Sequence, residues 1–144
     1  MNLMPYLAAA QTYRDAAKAA LTARLAERAI DAEQRAAHGF AWVATTIAAL
    51  EAIAGWLDSN AGGTALDRQV ATLIFAESIG QLTGGLPMGQ NEIFRPADLG
   101  LSGAAASLAS AAEALLGADL AAARAAVAVA LADGVGGTVD VEAE

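Results

Sequence analysis

The sequence predicts an all-α bundle of four to five helices with one long ordered Gly/Pro loop, and three observations carry that prediction. Alanine accounts for 41 of the 144 residues, and it is the residue that loses least on entering a helix. The β-branched and aromatic residues that strands favour are thin, with aromatics at 5% of the chain. Clusters of Gly, Asn, Asp and Pro then cut the chain into pieces of helical length. Some 40 larger apolar side chains remain once alanine is set aside, enough for one hydrophobic core.

The first helix is expected from about residue 5 to 30. Pro5 suits an opening turn, where its missing N–H costs nothing, and Leu7, Tyr13, Ala17, Leu21 and Leu25 give an uneven helical spacing. A second helix over about 31–58 is expected to be capped by Asp31, with Gln34 three residues on as in a capping box. Its apolar positions, from Phe40 to Leu57, cover a broad face, which predicts the most buried element. The turn cluster 58–63 ends it, and Thr64 is the expected cap of a third helix over 65–83. Residues 84–100 hold Pro87, Pro96 and several Gly or Asn residues, and read as an ordered loop of a length that is often functional. Two alanine-rich helices are expected over 101–116 and 119–133, and 134–144 reads as an acidic, Gly-containing tail or linker.

Composition excludes several functions. Eight basic against 16 acidic residues leave a formal charge of −8, without the basic stripe that nucleic acid requires. An anionic membrane surface is disfavoured on the same ground. The stretch 39–57 carries one charge, Glu51, but a central acid and the lack of flanking Lys/Arg argue against a membrane span. With no cysteine, disulfides and thiolate chemistry are excluded and a cytoplasmic location is expected. The opening residues lack the basic and apolar regions of a signal peptide.

Little in the chain has the spacing of a catalytic site. The one histidine, His38, follows Arg35 and not a glutamate at the third position before it, so the Glu-x-x-His metal pattern is missing; Gln34, one turn earlier, is its expected hydrogen-bond partner. No serine stands in a Gly-x-Ser-x-Gly context. Glu51 and Glu77, inside apolar stretches, are expected to face solvent or pair with arginine. Trp42 and Trp56, fourteen residues apart, share a helix face that points to core or interface. In the loop, Leu86, Met88, Ile93, Phe94 and Leu99 are candidates to pin it to a surface. Arg95 has Glu92 and Asp98 three residues to either side, a candidate charge clamp. The interface candidates are therefore Trp42, Trp56, Leu86, Met88, Gln90, Glu92, Phe94, Arg95 and Asp98.

The run Ala32-Glu33-Gln34-Arg35-Ala36-Ala37-His38-Gly39-Phe40-Ala41-Trp42-Val43-Ala44-Thr45, with the loop from Gly84 to Gly100, resembles the helical N-terminal extension of the (2S)-methylsuccinyl-CoA dehydrogenases, a branch of the flavin-dependent acyl-CoA dehydrogenase family. Gly89 and Asn91 depart from the serine and glycine that the resemblance leads one to expect there. The resemblance implies a parent enzyme that oxidises an acyl-CoA at its α,β-carbons with FAD. The flavin and catalytic glutamate of that family belong to domains that follow the extension, so no catalytic, cofactor-binding or metal-binding residue is assigned in this chain. The expected partner is an acyl-CoA dehydrogenase core, with a free-standing homodimeric helical protein as the alternative.

Overall fold

The computed structural model describes residues 1–136. Among them are six α-helices and one two-stranded sheet, which agrees with the all-α class. The helices are α1 (Met4–Glu27), α2 (Gln34–Ser59), α3 (Ala65–Gly84), α4 (Ser102–Ala111), α5 (Glu113–Leu116) and α6 (Leu120–Ala132). The chain from Gly137 onward, which holds most of the expected tail, lies outside the described residues.

Helices α1 to α4 form a four-membered bundle. α1 packs on α2 and α4, and α3 packs on the same two from the other side. Tyr13, Val43, Ile47, Leu50, Phe75, Ile79 and Leu108 fill the space between them. Several buried α1 and α3 positions are alanine, among them Ala10, Ala17, Ala71 and Ala76. These short side chains let neighbouring backbones approach closely, and the few large ones lock the packing. α6 lies outside the square, against α3.

Three helix ends differ from expectation. α1 stops at Glu27, and a 3₁₀ turn over Ile30–Ala32 precedes α2. The N-cap of α2 is Glu33 and no side chain caps it, so Asp31 is not the cap. Glu33 instead turns its carboxylate back to Arg24 and Arg28, and ion pairing across the reversal takes the place of a capping box. Thr64 does cap α3, through a reciprocal box with Asp67 in which each backbone N–H meets the other side chain. The expected helix over 101–116 is broken at Ala112 into α4 and α5. No glycine or proline marks that break.

The largest correction concerns residues 84–100. Leu86–Gly89 (β1) and Glu92–Phe94 (β2) pair as an antiparallel hairpin, irregular between Pro87 and Gly89. A 3₁₀ turn follows over Pro96–Leu99. Strands of four and three residues, one with a proline, are too short to display a period of two. Leu86, Met88, Phe94 and Leu99 are buried, while Ile93 stays exposed. β1 packs on α2 and α3, and the 3₁₀ turn on α1, α3 and α4, so this segment plugs one end of the bundle.

α2 is also not the most buried element. It is long and apolar enough to cross a membrane, yet only five of its 26 residues are buried, against seven of 20 in α3. Its inner side supplies Val43, Ile47 and Leu50 to the core. Its outer side has no neighbour among the described residues.

Candidate functional site

The plug is seated by one close contact and a lattice of charge. Gly39 of α2 meets the ring of Phe94, and a Cβ at that position would overlap it. The ring thereby packs directly on helix backbone. From the first turn of α2, Arg35 donates to the Ile93 carbonyl at 2.7 Å, to Glu92 Oε1 at 3.2 Å and to Asp98 Oδ2 at 3.3 Å. Arg24, near the end of α1, donates to the Asp98 carbonyl at 2.9 Å. The buried Glu33 carboxylate receives Arg28 at 2.9 Å and Arg24 at 3.3 Å.

The clamp expected around Arg95 is therefore built by Arg35. A spacing of three brings side chains together on a helix, but residues 92–95 are extended, and alternate side chains leave opposite faces. Glu92 and Phe94 turn toward α2, whereas Ile93 and Arg95 line the other side. What Arg95 gives Asp98 is its backbone N–H, at 2.9 Å. That hydrogen bond, more than the neighbouring Arg35, holds the Asp98 carboxyl below its ordinary range. The Arg28 and Arg24 hydrogen bonds do the same for Glu33.

The Arg95 guanidinium makes no ion pair among the described residues. It stands between two open grooves. One, of about 470 Å³, is walled by Glu77, Gly80, Gln81, Gly84, Gly85 and Ile93. The other, of about 500 Å³, lies against Thr83, Ser102, Ala106 and Ala109. Small walls and an exposed guanidinium suit an anionic group or an approaching backbone. Glu77 is taken up by Arg124 at 2.6 Å, and Thr83 Oγ1 donates to the Ile79 carbonyl, so neither is placed beside a base that would activate it. Among the described residues no group of three or more His, Cys, Asp or Glu side chains is placed to hold a metal ion.

The second candidate region is the outer side of α2. Trp42 and Trp56 are each 39% exposed and share that face. The partner of His38 is Trp42 and not Gln34: the indole Nε1–H donates to His38 Nε2 at 2.7 Å. Glu51 turns away toward α1, where Gln11 and then Arg14, each at 2.8 Å, hold its carboxyl below the usual range.

The candidate residues thus divide. Leu86, Met88 and Phe94 are spent on the core of this chain. Glu92 and Asp98 are tied to Arg35. Gln90, Arg95, Trp42 and Trp56 remain open to solvent, joined by Ile93. Sequence reasoning missed Arg24, Arg35 and Glu33 as the residues that seat the plug. Their only signal was that Arg24, Arg28 and Arg35 gather around one helix junction.

Comparison with known proteins gives one informative match. Over 96 residues the chain is 30% identical to a (2S)-methylsuccinyl-CoA dehydrogenase from Cereibacter sphaeroides, covering 63% of this chain. The match spans 18% of that protein's length. No family model matches the chain, and no solved structure matches it. The chain is similar, at this distance, to part of an acyl-CoA dehydrogenase.

Proposed function

We propose that the chain is a non-catalytic helical accessory unit of an acyl-CoA dehydrogenase-like flavoenzyme, acting in the cytoplasm. The observation that carries the reading is the match itself, which relates a helical bundle to under a fifth of a much longer dehydrogenase. In this reading FAD and the acyl-CoA belong to the dehydrogenase core, a short branched acyl-CoA such as methylsuccinyl-CoA being the substrate class. The plug presents the exposed Gln90, Ile93 and Arg95 to the core. Arg95, beside grooves walled by glycine and alanine, supplies a cation for a carboxylate on the partner surface.

The test is reconstitution. The chain is mixed with a flavin-loaded acyl-CoA dehydrogenase core from the same organism. Complexes are then resolved by gel filtration with detection at flavin wavelengths. The expected result is co-elution, a changed rate of acyl-CoA oxidation with an artificial acceptor, and loss of both on combining Ile93→Asp with Arg95→Glu. Separate elution and an unaltered rate would remove the reading.

A further inference from the structure

The plug sits at the start of α2; the close of α2, with the opening residues of the chain and the turn into α3, encloses a cavity of about 310 Å³. That volume is at the small end of the range for ligand sites. Leu3, Ala54, Leu57 and Ala61 give it an apolar wall, and Met1 and Met4 flank it at 65% and 58% exposed. Methionine is the apolar side chain that adapts most readily to a bound molecule. Ala61 is held at φ 53°, the one positive φ outside glycine among the described residues. A glycine would take that conformation without strain, whereas the alanine keeps a methyl group on the cavity wall.

Two opposite charges line the same cavity. Asp58 lies in the last turn of α2, which has no basic residue. A carboxylate and the negative end of the helix dipole therefore meet with no cation to offset them. Arg68 lies near the start of α3, where its Nη1 donates to the Gly63 carbonyl at 2.8 Å and to the Gly62 carbonyl at 3.2 Å. Its Nη2 and Nε make no hydrogen bond among the described residues. Neither Asp58 nor Arg68 enters an ion pair among those residues.

We propose that this cavity binds a free α-amino acid with an apolar side chain, of the leucine or methionine class. The ammonium faces Asp58 and the end of α2, the carboxylate faces Arg68 and the start of α3, and the side chain covers Leu57, Met1 and Met4. The charge pattern selects this occupant. A fatty acid answers Arg68 and leaves Asp58 uncompensated beside the helix end, and a simple amine does the reverse. A residue inside a peptide has lost both charges. A zwitterion answers both, along the direction in which the two helix dipoles run. Because Asp58 and Arg68 are exposed, binding is weak, with a dissociation constant on the order of 1 mM, and added salt weakens it further. The cavity shares no residue with the plug surface assigned to a dehydrogenase core, and the proposal stands or falls without that assignment.

NMR of the whole chain labelled at its methionine methyl groups tests it. Of the three methionines, Met1 and Met4 flank the cavity, and Met88 is buried in the plug. Titration with L-leucine is expected to move the Met1 and Met4 signals saturably and to leave Met88 in place. N-acetyl-L-leucine, which lacks the ammonium, and L-leucinamide, which lacks the carboxylate, each bind about tenfold more weakly or worse. Asp58→Asn and Arg68→Gln, both at exposed positions, each weaken L-leucine by a similar factor with helical content unchanged. If Arg68→Gln loses the turn that Arg68 holds, Asp58→Asn and the two analogues still decide. Met1 and Met4 signals that do not move up to the solubility limit of L-leucine overturn the proposal. So does N-acetyl-L-leucine or L-leucinamide binding as tightly as L-leucine, which would leave a site for one charge alone. L-leucine affinity unchanged in Asp58→Asn overturns it too.

Discussion

Two segments of this chain look opposite in sequence and behave opposite to their looks. Residues 84–100, rich in Gly, Pro and Asn, read as a loop, yet they deliver Leu86, Met88, Phe94, Pro96 and Leu99 to the buried interior. α6, with alanine at most of its positions, reads as an unmistakable helix and forms one, yet none of its residues is buried. Val129 and Leu131 are each 60% exposed there. Propensity makes a helix, but large side chains make a core. A helix whose inner face is mostly methyl groups has little to bury, whereas a short hairpin carrying Phe, Leu and Met has much.

Mutations that break this contrast should rank accordingly. Phe94→Ala has the largest expected effect, a loss of about 3–5 kcal/mol in urea unfolding, because an aromatic cavity opens against helix backbone. Gly39→Ala forces a methyl group into the same ring and should cost about 1–3 kcal/mol. Both are measured as midpoint shifts at constant slope.

The polar side of the plug predicts a smaller effect and a pH signature. Arg35→Ala removes a donor to Ile93, Glu92 and Asp98 and should cost about 1 kcal/mol, since the ion pairs are half exposed. Asp98 and Glu33 titrate below their ordinary range in the folded chain. Their stabilisation is complete above the unfolded carboxyl values, about 3.9 for Asp and 4.3 for Glu, and is lost as pH falls through the folded values. Circular dichroism between pH 7 and pH 2 should show acid unfolding there, with a shallower dependence in Arg35→Ala.

Tyr13 offers a change of the opposite sign. Its hydroxyl is buried without a hydrogen-bond partner among the described residues, and burial pushes its pKa up to about 12. Tyr13→Phe removes an unpaired polar atom and should raise stability by about 1 kcal/mol, read as a higher melting temperature. The smallest effect is reserved for α6, where Val129→Glu should stay within about 0.5 kcal/mol of the parent chain.

The fold class and the α3 start were legible because alanine content, apolar period and a Thr cap are local signals. The plug was not. Its strands are too short to display the alternation that would reveal them, and its seat depends on Gly39 and Arg35, more than fifty residues earlier in the chain. For the candidate site, the shared face of Trp42 and Trp56 followed from helical spacing alone. The Arg95 clamp failed because residues 92–95 are extended, so a three-residue interval leaves the Glu92 and Arg95 side chains on opposite faces.

Amide hydrogen exchange resolved along the chain tests the central contrast most directly. If the plug belongs to the core, amides of the hairpin paired between Leu86 and Phe94 are protected to the level of α2 and α3, while those of α6 exchange orders of magnitude faster. A hairpin that exchanges as fast as α6, or an α6 protected as well as α3, would contradict the account.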